Sequence, residues 1–106
     1  MKRLYDSQGK HIADLIDNRL YNAWGANVGH YAPGEGVCVD LQGRYLGEIL
    51  FDNRLAYGRH SPKRFLNLGR QGDYGNGGFH GFGGGTSYLG LPVAYDDIPP
   101  GRLAYA

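Results

Sequence analysis

The sequence has few of the features that mark secreted or membrane-spanning proteins. It contains one cysteine, Cys38, so an internal disulfide is excluded and a reducing, cytoplasmic setting is expected. Residues 1–6 carry no apolar run of the length that a signal peptide or a membrane span needs, and no membrane partner is predicted. Cys38 lies in an apolar strand pattern, which favours a buried structural thiol over a nucleophile.

Net charge is also nearly absent. The chain has 11 Lys and Arg residues against 10 Asp and Glu residues, which gives a formal net charge of +1. A charge this small gives no global attraction to nucleic acid or to an anionic membrane. Binding of that kind has to come from a local patch.

Proline is scarce and glycine is abundant. The 106 residues include 5 prolines, 19 glycines and 9 tyrosines. Glycine is costly inside regular elements, so this composition predicts an all-β, turn-rich chain with little helix. A chain of this length suits one small domain.

The main positive feature is one phrase that occurs three times. Each copy reads apolar pair, Asp or Asn, two free positions, Gly, two more positions, a branched apolar residue, then Ala or Gly. Asp or Asn opening a type I turn, with a positive-φ Gly three residues later, is typical of a short hairpin loop closed by a bulge. Each copy is therefore predicted to be one β-hairpin. The copies span residues 4–15, 20–31 and 38–49, and their turn glycines are Gly9, Gly25 and Gly43.

A longer repeat groups the hairpins in pairs. The word Asp-Asn-Arg-Leu occurs at residues 17–20 and again at residues 52–55. A fourth phrase is then expected over residues 55–66, which keep strand-like ends but lack the Asp-x-x-Gly turn. Small hairpins need neighbours for stability, so the prediction is four consecutive β-hairpin repeats arranged as a pseudo-symmetric flower.

These motifs resemble a known family. Tyr-Asp-x-x-Gly-x-x-Ile-Ala at 5–13, Leu-Tyr-Asn-x-x-Gly-x-x-Val-Gly at 20–29, Gly-Arg-Tyr-Leu-Gly-Glu-Ile at 43–49 and Asn-Arg-Leu-x-Tyr at 53–57 are similar to the bacterial four-fold β-flower domain. The resemblance covers residues 3–68. It implies the fold alone, because the family has no assigned activity and lends no catalytic residues. The sequence departs from the family pattern in its fourth turn.

The composition changes after Leu68. Glycine recurs at every third position from residue 69 to residue 84. We therefore divide the chain into a β-flower domain at 1–68, a glycine-rich extension at 69–87 and a short apolar segment at 88–106. The extension is either a flexible linker or an extended left-handed helix with three residues per turn. In the second case its glycines form a bare edge that packs closely against another strand.

The last segment is apolar but irregular. Residues 86–95 are predicted to be an edge strand broken by Pro92, followed by a turn at 96–101. The word Arg-Leu-Ala-Tyr at 102–105 repeats residues 54–57. This repeated sequence indicates either coincidence or a strand that returns to the sheet or to a neighbouring chain.

Three polar residues, Asp14, His30 and Glu48, occupy the same place in the three copies. Pseudo-symmetry brings them to equivalent positions, and carboxylates that converged with an imidazole would form a divalent-metal site. Convergence would also bury like charges at a cost, so solvated strand faces are the favoured interpretation. No cofactor and no catalytic residue are predicted.

A basic stretch precedes aromatic residues set among glycines. Cations that contact phosphates, together with rings that stack on bases, are typical of single-stranded nucleic-acid binding, which is the alternative function. Four charges are more often a solvated loop. The cations are Arg59, Lys63, Arg64 and Arg70, and the aromatic residues are Tyr74, Phe79 and Phe82.

The favoured function is a non-enzymatic structural or protein-interaction module. A small flower leaves strand edges unpaired and residues 88–95 apolar, and association with a second copy or another protein would cover both. Aromatic residues in the extension supply contact area that glycine lacks. We therefore predict a homo-oligomer, most simply a symmetric dimer, in which the extension touches the second chain. The predicted contact residues are Tyr74, Phe79, Phe82 and Tyr88.

Overall fold

The computed structural model describes residues 1–77, 81 and 84–104. Over these residues the chain forms eight β-strands and two short 3-10 helices, and the described ranges contain no α-helix, so the all-β prediction is confirmed. No helix in this part of the chain is long and apolar enough to cross a membrane. The strands are β1 (Lys2–Tyr5), β2 (His11–Ile16), β3 (Arg19–Asn22), β4 (Asn27–Ala32), β5 (Val37–Asp40), β6 (Tyr45–Leu50), β7 (Arg54–Gly58) and β8 (Tyr95–Asp97), and the 3-10 helices are Pro62–Phe65 and Pro100–Leu103.

The strands form one sheet that closes on itself. Each strand pairs antiparallel with the next along the chain, and β1 also pairs parallel with β7 through Tyr5 and Arg54. The backbone N–H of Tyr5 donates to the carbonyl oxygen of Asn53 at 2.9 Å. The result is a closed, barrel-like sheet of seven strands. The eighth strand, β8, pairs with the edge of β7 that faces away from β6.

The three repeated phrases are the hairpins β1–β2, β3–β4 and β5–β6. In each hairpin the pairing register shifts once, between Leu4 and Tyr5, between Leu20 and Tyr21, and between Cys38 and Val39. The φ angles of the turn glycines are 82° for Gly9, 93° for Gly25 and 83° for Gly43. The predicted irregular hairpins and the positive φ at all three glycines are therefore confirmed.

Two of the remaining connections reverse the chain at the opposite end of the sheet. The β2–β3 turn contains Asp17 and Asn18, with φ of 52° and 63°. The β6–β7 turn contains Phe51 and Asp52, with φ of 52° and 72°. Two successive residues with positive φ make a tight turn whose twist matches that of the strands, and Asp and Asn tolerate this geometry. Both turns contain the repeated Asp-Asn-Arg-Leu word, but the two positive-φ residues fall one position earlier in the second copy, at Phe51 and Asp52.

The fourth hairpin differs from the prediction. After β7, Ser61 caps the 3-10 helix Pro62–Phe65 by accepting a hydrogen bond from the backbone N–H of Lys63. On the edge that faces away from β6, β7 pairs antiparallel with β8, with Ala56 opposite Asp97. The prediction of a second strand near Leu66 is therefore wrong. The segment that follows the glycine-rich extension pairs with β7 instead.

The predictions for the last segment also need correction. The edge strand expected over residues 86–95 is confined to β8, which begins at Tyr95. The turn expected over 96–101 is replaced by the end of β8 and the 3-10 helix Pro100–Leu103. In the repeated word at 102–105, Leu103 ends this helix and is buried.

The core contains one residue from each strand of the closed sheet. Ile98 and Leu103 join it from beyond β8, and the side-chain N–H of Asn22 donates to the carbonyl oxygen of Leu103 at 3.0 Å. Ile98 and Leu103 therefore close the core at the end that carries the glycine turns. Cys38 is fully buried, as its apolar strand pattern predicts, and burial raises its pKa to about 12. The strand residues of the core are Leu4, Ala13, Leu20, Val28, Cys38, Leu46 and Leu55.

Candidate functional site

The three glycine turns share one hydrogen-bond pattern. Asp6, Asn22 or Asp40 opens the turn, and its side-chain oxygen accepts the backbone N–H groups two and four residues later at 2.9–3.1 Å. Its carbonyl oxygen accepts the N–H of the turn glycine at 3.0–3.1 Å. These bonds fix each loop, and we call the end of the sheet that carries the three loops the turn face.

The described residues of the glycine-rich extension lie across the turn face. The backbone N–H of Leu68 donates to the carbonyl oxygen of Gly43 at 2.9 Å, that of Gly77 to Gly25 at 2.7 Å and that of Thr86 to Gly9 at 2.9 Å. The donors, at positions 68, 77 and 86, are nine residues apart and meet the turns in reverse order. We call residues 67–89 the strap.

A second set of contacts repeats in the same register. The N–H of Gln71 donates to the carbonyl oxygen of Leu41 at 2.8 Å, and the N–H of Leu89 donates to Ser7 at 2.9 Å. Leu41 and Ser7 are the second residues of their turns. Isolated bridges join Arg44 to Asn67 and Ala26 to Asn76, and Gly75 and Gly84 have nearly equal φ of 66° and 65°. The described strap therefore docks with a period of nine residues.

Docking of the strap requires glycine in the turns. A Cβ atom on Gly9 would overlap the carbonyl group of Thr86, and one on Gly43 would overlap the backbone of Gly69. The described residues of the extension are bonded to the turns, unlike a flexible linker, but the predicted left-handed helix with a closely packed glycine edge is wrong. Gly69, Gly75, Gly81 and Gly84 have positive φ, and a Cβ atom on any of them would meet nothing within 4 Å. The surface that the described residues of the extension pack against is the turn face of their own chain.

Cationic and imidazole side chains hold the strap through its carbonyl groups. His30 Nε2 donates to the carbonyl oxygen of Gly72 at 2.7 Å, and Arg3 donates to that of Gly81 at 2.5 Å. Arg54 donates to the carbonyl oxygen of Ser87 at 2.6 Å. The guanidinium of Arg19 lies 3.6 Å above the ring of Tyr74, a cation–π contact. Side chains of the sheet thus contact the strap at Gly72, Tyr74, Gly81 and Ser87.

The candidate metal residues Asp14, His30 and Glu48 are engaged separately. Asp14 is buried and lies 2.7 Å from Nε2 of His11. Glu48 accepts hydrogen bonds from the hydroxyls of two tyrosines, as described below, and His30 binds the strap. In the part of the chain that the structure describes, no group of three His, Cys, Asp or Glu residues could hold a metal ion.

Glu48 ties β8 to the closed sheet. The hydroxyl of Tyr45 donates to Oε2 of Glu48 at 2.8 Å, and the hydroxyl of Tyr95 donates to Oε1 at 3.1 Å. Burial, followed by the hydrogen bond to Glu48, raises the pKa of both phenols. Because β8 has only three residues, this carboxylate is a main anchor for Tyr95.

The basic stretch is partly neutralised by the chain itself. Arg59 pairs with Asp96 at 2.9 Å, and Lys63 pairs with Glu35 at 2.6 Å. The guanidinium of Arg64 lies 4.7 Å from the ring centroid of Phe65. Arg70 has no ion pair or side-chain hydrogen bond to any described residue. Nucleic-acid binding through this stretch stays a prediction.

The predicted contact residues face outward where the structure describes them. Tyr74 is 51% exposed and Tyr88 is 67% exposed. Phe79 and Phe82 lie outside the described residues. The exposed side chains sit on a strap whose backbone is bonded to the turns, so they are presented from a fixed support.

Sequence reasoning missed what the strap docks against. The available signal was the recurrence of glycine at 69 and 78, at 72 and 81 and at 75 and 84, in which each pair is nine residues apart. The glycine pattern has a period of three, whereas the hydrogen bonds to the turns repeat every nine residues.

Two other features of the turn face carried no repeat signal in the sequence. They are the exposed indole of Trp24 and a cleft between the second and third turns, beside Arg70. The cleft is lined in part by Gly101, Arg102 and Ala104, which come from the far end of the chain. Comparison with protein-family models, curated proteins and solved structures finds no match to this chain.

Proposed function

We propose that the chain is a non-enzymatic structural or protein-interaction module that self-associates through its strap and the residues that follow it. One observation carries this proposal. The described residues of the strap bond through their backbone to the turns of the same chain, and from Tyr88 to Val93 apolar side chains are left exposed. Tyr88 is 67% exposed and Val93 is 96% exposed. Apolar and aromatic side chains grouped on one exposed segment are typical of an association surface.

The titratable groups of the turn face and the sheet support a non-enzymatic role. The Cys38 thiol is buried with its pKa raised to about 12, so the reactive thiolate is scarce at neutral pH. His11 and Asp14 bond to each other beneath the surface, and Glu48 is shared by two tyrosines. These groups stabilise the fold through the bonds they make.

We also propose that the architecture is the four-fold β-flower. Three units are the hairpins with glycine turns, and the fourth is the antiparallel pair β7–β8. In this arrangement the 3-10 helix Pro62–Phe65 and the strap form an insertion between the strands of the fourth unit. The pairing of Ala56 with Asp97 supports the proposal, because it gives β7 the partner that a fourth hairpin needs.

Static light scattering over a range of protein concentrations tests the association. The full chain should have the mass of a dimer or larger oligomer, and the double variant Tyr88→Ser, Val93→Ser should shift toward the monomer. Phe65→Ser is the matched control, because Phe65 is 82% exposed on the 3-10 helix Pro62–Phe65 and outside the proposed surface. A monomeric full chain at all concentrations, or equal loss of mass in the control, would contradict the proposal.

Point variants are preferable to a chain that ends at Leu68. Such a truncation would remove Ile98 and Leu103 from the core and Tyr95 from its bond to Glu48. A change in mass would then report loss of the fold. The double variant changes exposed side chains and leaves these buried contacts in place.

A further inference from the structure

The turn face carries two clefts, one on each side of the 3-10 helix Pro100–Leu103. The Trp24 cleft lies between the first and second turns and is lined by Lys10, Ile12, Trp24, Ile98 and Leu103 among others. The Arg70 cleft lies between the second and third turns and is lined by Asp40, Gln42, Arg70, Asp73 and Arg102 among others. Each has a volume of about 370 Å³, and Ala104 borders both. Volumes in this range suit small-molecule groups.

The two clefts are equivalent by the repeat of the hairpins. His11 and Ile12, which begin β2, line one cleft where Asn27 and Val28, which begin β4, line the other. The second turn supplies Trp24 to the first cleft, and the third turn supplies Gln42 to the second cleft at the same turn position. A ligand with repeating units could therefore meet two related surfaces side by side.

Trp24 gives its cleft an aromatic wall on a rigid loop. The indole is 68% exposed. Its backbone is fixed, because the N–H of Trp24 donates to Oδ1 of Asn22 at 3.0 Å and the next residue, Gly25, holds the left-handed conformation of the turn. A large side chain on a fixed loop loses little backbone freedom when it binds a ligand. Ile12, Ile98 and Leu103 add apolar surface beside it.

The polar groups of the Trp24 cleft are balanced in charge. Lys10 Nζ makes no hydrogen bond or ion pair with the described residues, so it can donate to a ligand. Asp6 uses Oδ1 for the backbone N–H groups of Gln8 and Lys10, which leaves Oδ2 as an acceptor. One ammonium and one carboxylate have no net charge, which favours a neutral ligand that both donates and accepts hydrogen bonds.

The Arg70 cleft offers the same mixture of donors and acceptors. Arg102 donates to Oδ2 of Asp40 at 3.4 Å, so this pair is neutral overall. The side-chain amide of Gln42 has no partner among the described residues, and it can both donate and accept. Arg70 adds donors at the edge of the cleft.

We propose that the turn face binds a neutral saccharide chain, with one pyranose unit on Trp24 and the next unit toward the Arg70 cleft. A pyranose ring has an apolar C–H face, which packs on the indole, and a rim of hydroxyls, which bond to Lys10 and Asp6. Hydroxyls need hydrogen-bond partners when they leave water, and each cleft supplies both kinds. A charged ligand would carry the same sign of charge as either the Asp6 carboxylate or the Lys10 ammonium and would be repelled by it.

Trp24 provides the reporter for the test, because it is the only tryptophan of the chain. The full chain is titrated with neutral oligosaccharides of increasing length built on glucose, mannose, galactose and N-acetylglucosamine. Binding at the cleft should change the tryptophan fluorescence in a saturable way. Affinity should rise from the monosaccharide to longer chains of the same sugar, since the second cleft is then reached.

Variants assign the binding to the clefts, with affinity measured by calorimetry and folding checked by circular dichroism. Trp24→Ala should weaken binding by about tenfold or more, as expected for the loss of an aromatic anchor. Lys10→Ala should also weaken it, and this second variant settles the assignment if Trp24→Ala folds poorly. Arg70→Ala should weaken binding of the longer saccharides only. Phe65→Ala is the aromatic control and should bind like the unmodified chain.

Three outcomes would overturn the proposal. The first is the absence of a saturable response to every saccharide of the panel. The second is unchanged affinity in the folded Trp24 and Lys10 variants. The third is a response to a single-stranded oligonucleotide with none to the saccharides, which would assign the indole to base stacking.

Discussion

The N–H of Thr86 donates to the carbonyl oxygen of Gly9 at 2.9 Å, and the carbonyl of Thr86 fills the space that a side chain on Gly9 would need. Two requirements therefore meet in one residue. The turn needs a φ of 82°, and the strap needs a bare backbone. Gly43 meets the same two requirements where Leu68 and Gly69 pass over it.

Replacing a strap-facing turn glycine should cost more than replacing an open one. Gly43→Ala forces alanine into left-handed backbone, at about 1–2 kcal/mol, and also displaces the strap. Gly36→Ala is the matched control, because Gly36 has a φ of 71° but nothing within 4 Å of its added Cβ. Urea unfolding should show a larger loss of stability for Gly43→Ala. Equal losses would show that the strap adds nothing at this turn.

Gly29 lies in a strand and not in a turn, but it should still be required because β4 and β5 approach closely at this residue. Its added Cβ would overlap the carbonyl oxygen of Val39 on the neighbouring strand. Gly29→Ala should therefore destabilise the chain by about 1–3 kcal/mol, the usual cost of overpacking. Gly34→Ala, at a loop position with nothing within 4 Å, should be nearly neutral in the same thermal unfolding experiment. A neutral Gly29→Ala would contradict the observed close approach of β4 and β5.

Arg54 should be the most sensitive of the strap-holding cations. It is buried, donates to Ser87 and Asn53, and its Nε has no partner among the described residues. Arg54→Lys removes the planar fork and leaves the Ser87 carbonyl unpaired, which should cost about 1–3 kcal/mol. Arg64→Lys, at an exposed position, is the control. Hydrogen exchange should become faster at the strap amides Thr86 and Leu89 in Arg54→Lys, and unchanged exchange there would argue against the contact.

Stability should fall in strongly alkaline solution through Tyr45. Burial and the hydrogen bond to Glu48 raise the pKa of this phenol above its ordinary value. The folded state then holds the proton more tightly than the unfolded state, so stability is fully present below about pH 10 and is lost as the pH rises above it. Tyr45→Phe should flatten this part of the curve, measured by urea unfolding at several pH values. An identical alkaline loss in Tyr45→Phe would place its origin elsewhere.

Cys38 should be unreactive in the folded chain. It is fully buried, and burial raises its pKa to about 12, so little thiolate exists at neutral pH. A disulfide thiol reagent should modify Cys38 slowly in native protein and rapidly in denaturant. Rapid labelling of native protein at neutral pH would mean that β5 opens readily.

Local chemistry made the hairpins predictable from the sequence. Asp6 and Gly9 act within four residues, and the same spacing recurs at Asn22 and Asp40, so each turn is specified where it forms. The partner of β7 was not predictable in this way. A loop and the strap separate Gly58, the end of β7, from Tyr95, the start of β8. In addition, a strand as short as β8 shows no alternation of polar and apolar residues that would reveal it.

The candidate site shows the same division between local and distant information. The equivalence of Asp14, His30 and Glu48 follows from the repeat, and Asp14 bonds to the nearby His11. The partners of His30 and Glu48, Gly72 and Tyr95, come from distant parts of the chain. Backbone hydrogen bonds hold the strap, and they leave little mark in the side-chain sequence. Glycine spacing therefore revealed a period without revealing what the strap binds.

The position of Ile98 and Leu103 bears on how the protein is made. All seven strands of the closed sheet leave the ribosome before these two residues, which complete the core from beyond the strap. The apolar end of the core therefore stays uncovered until these two residues are made, and exposed apolar surface of this kind is prone to aggregation. A product interrupted before Ile98 would lack both side chains and leave that end of the core open.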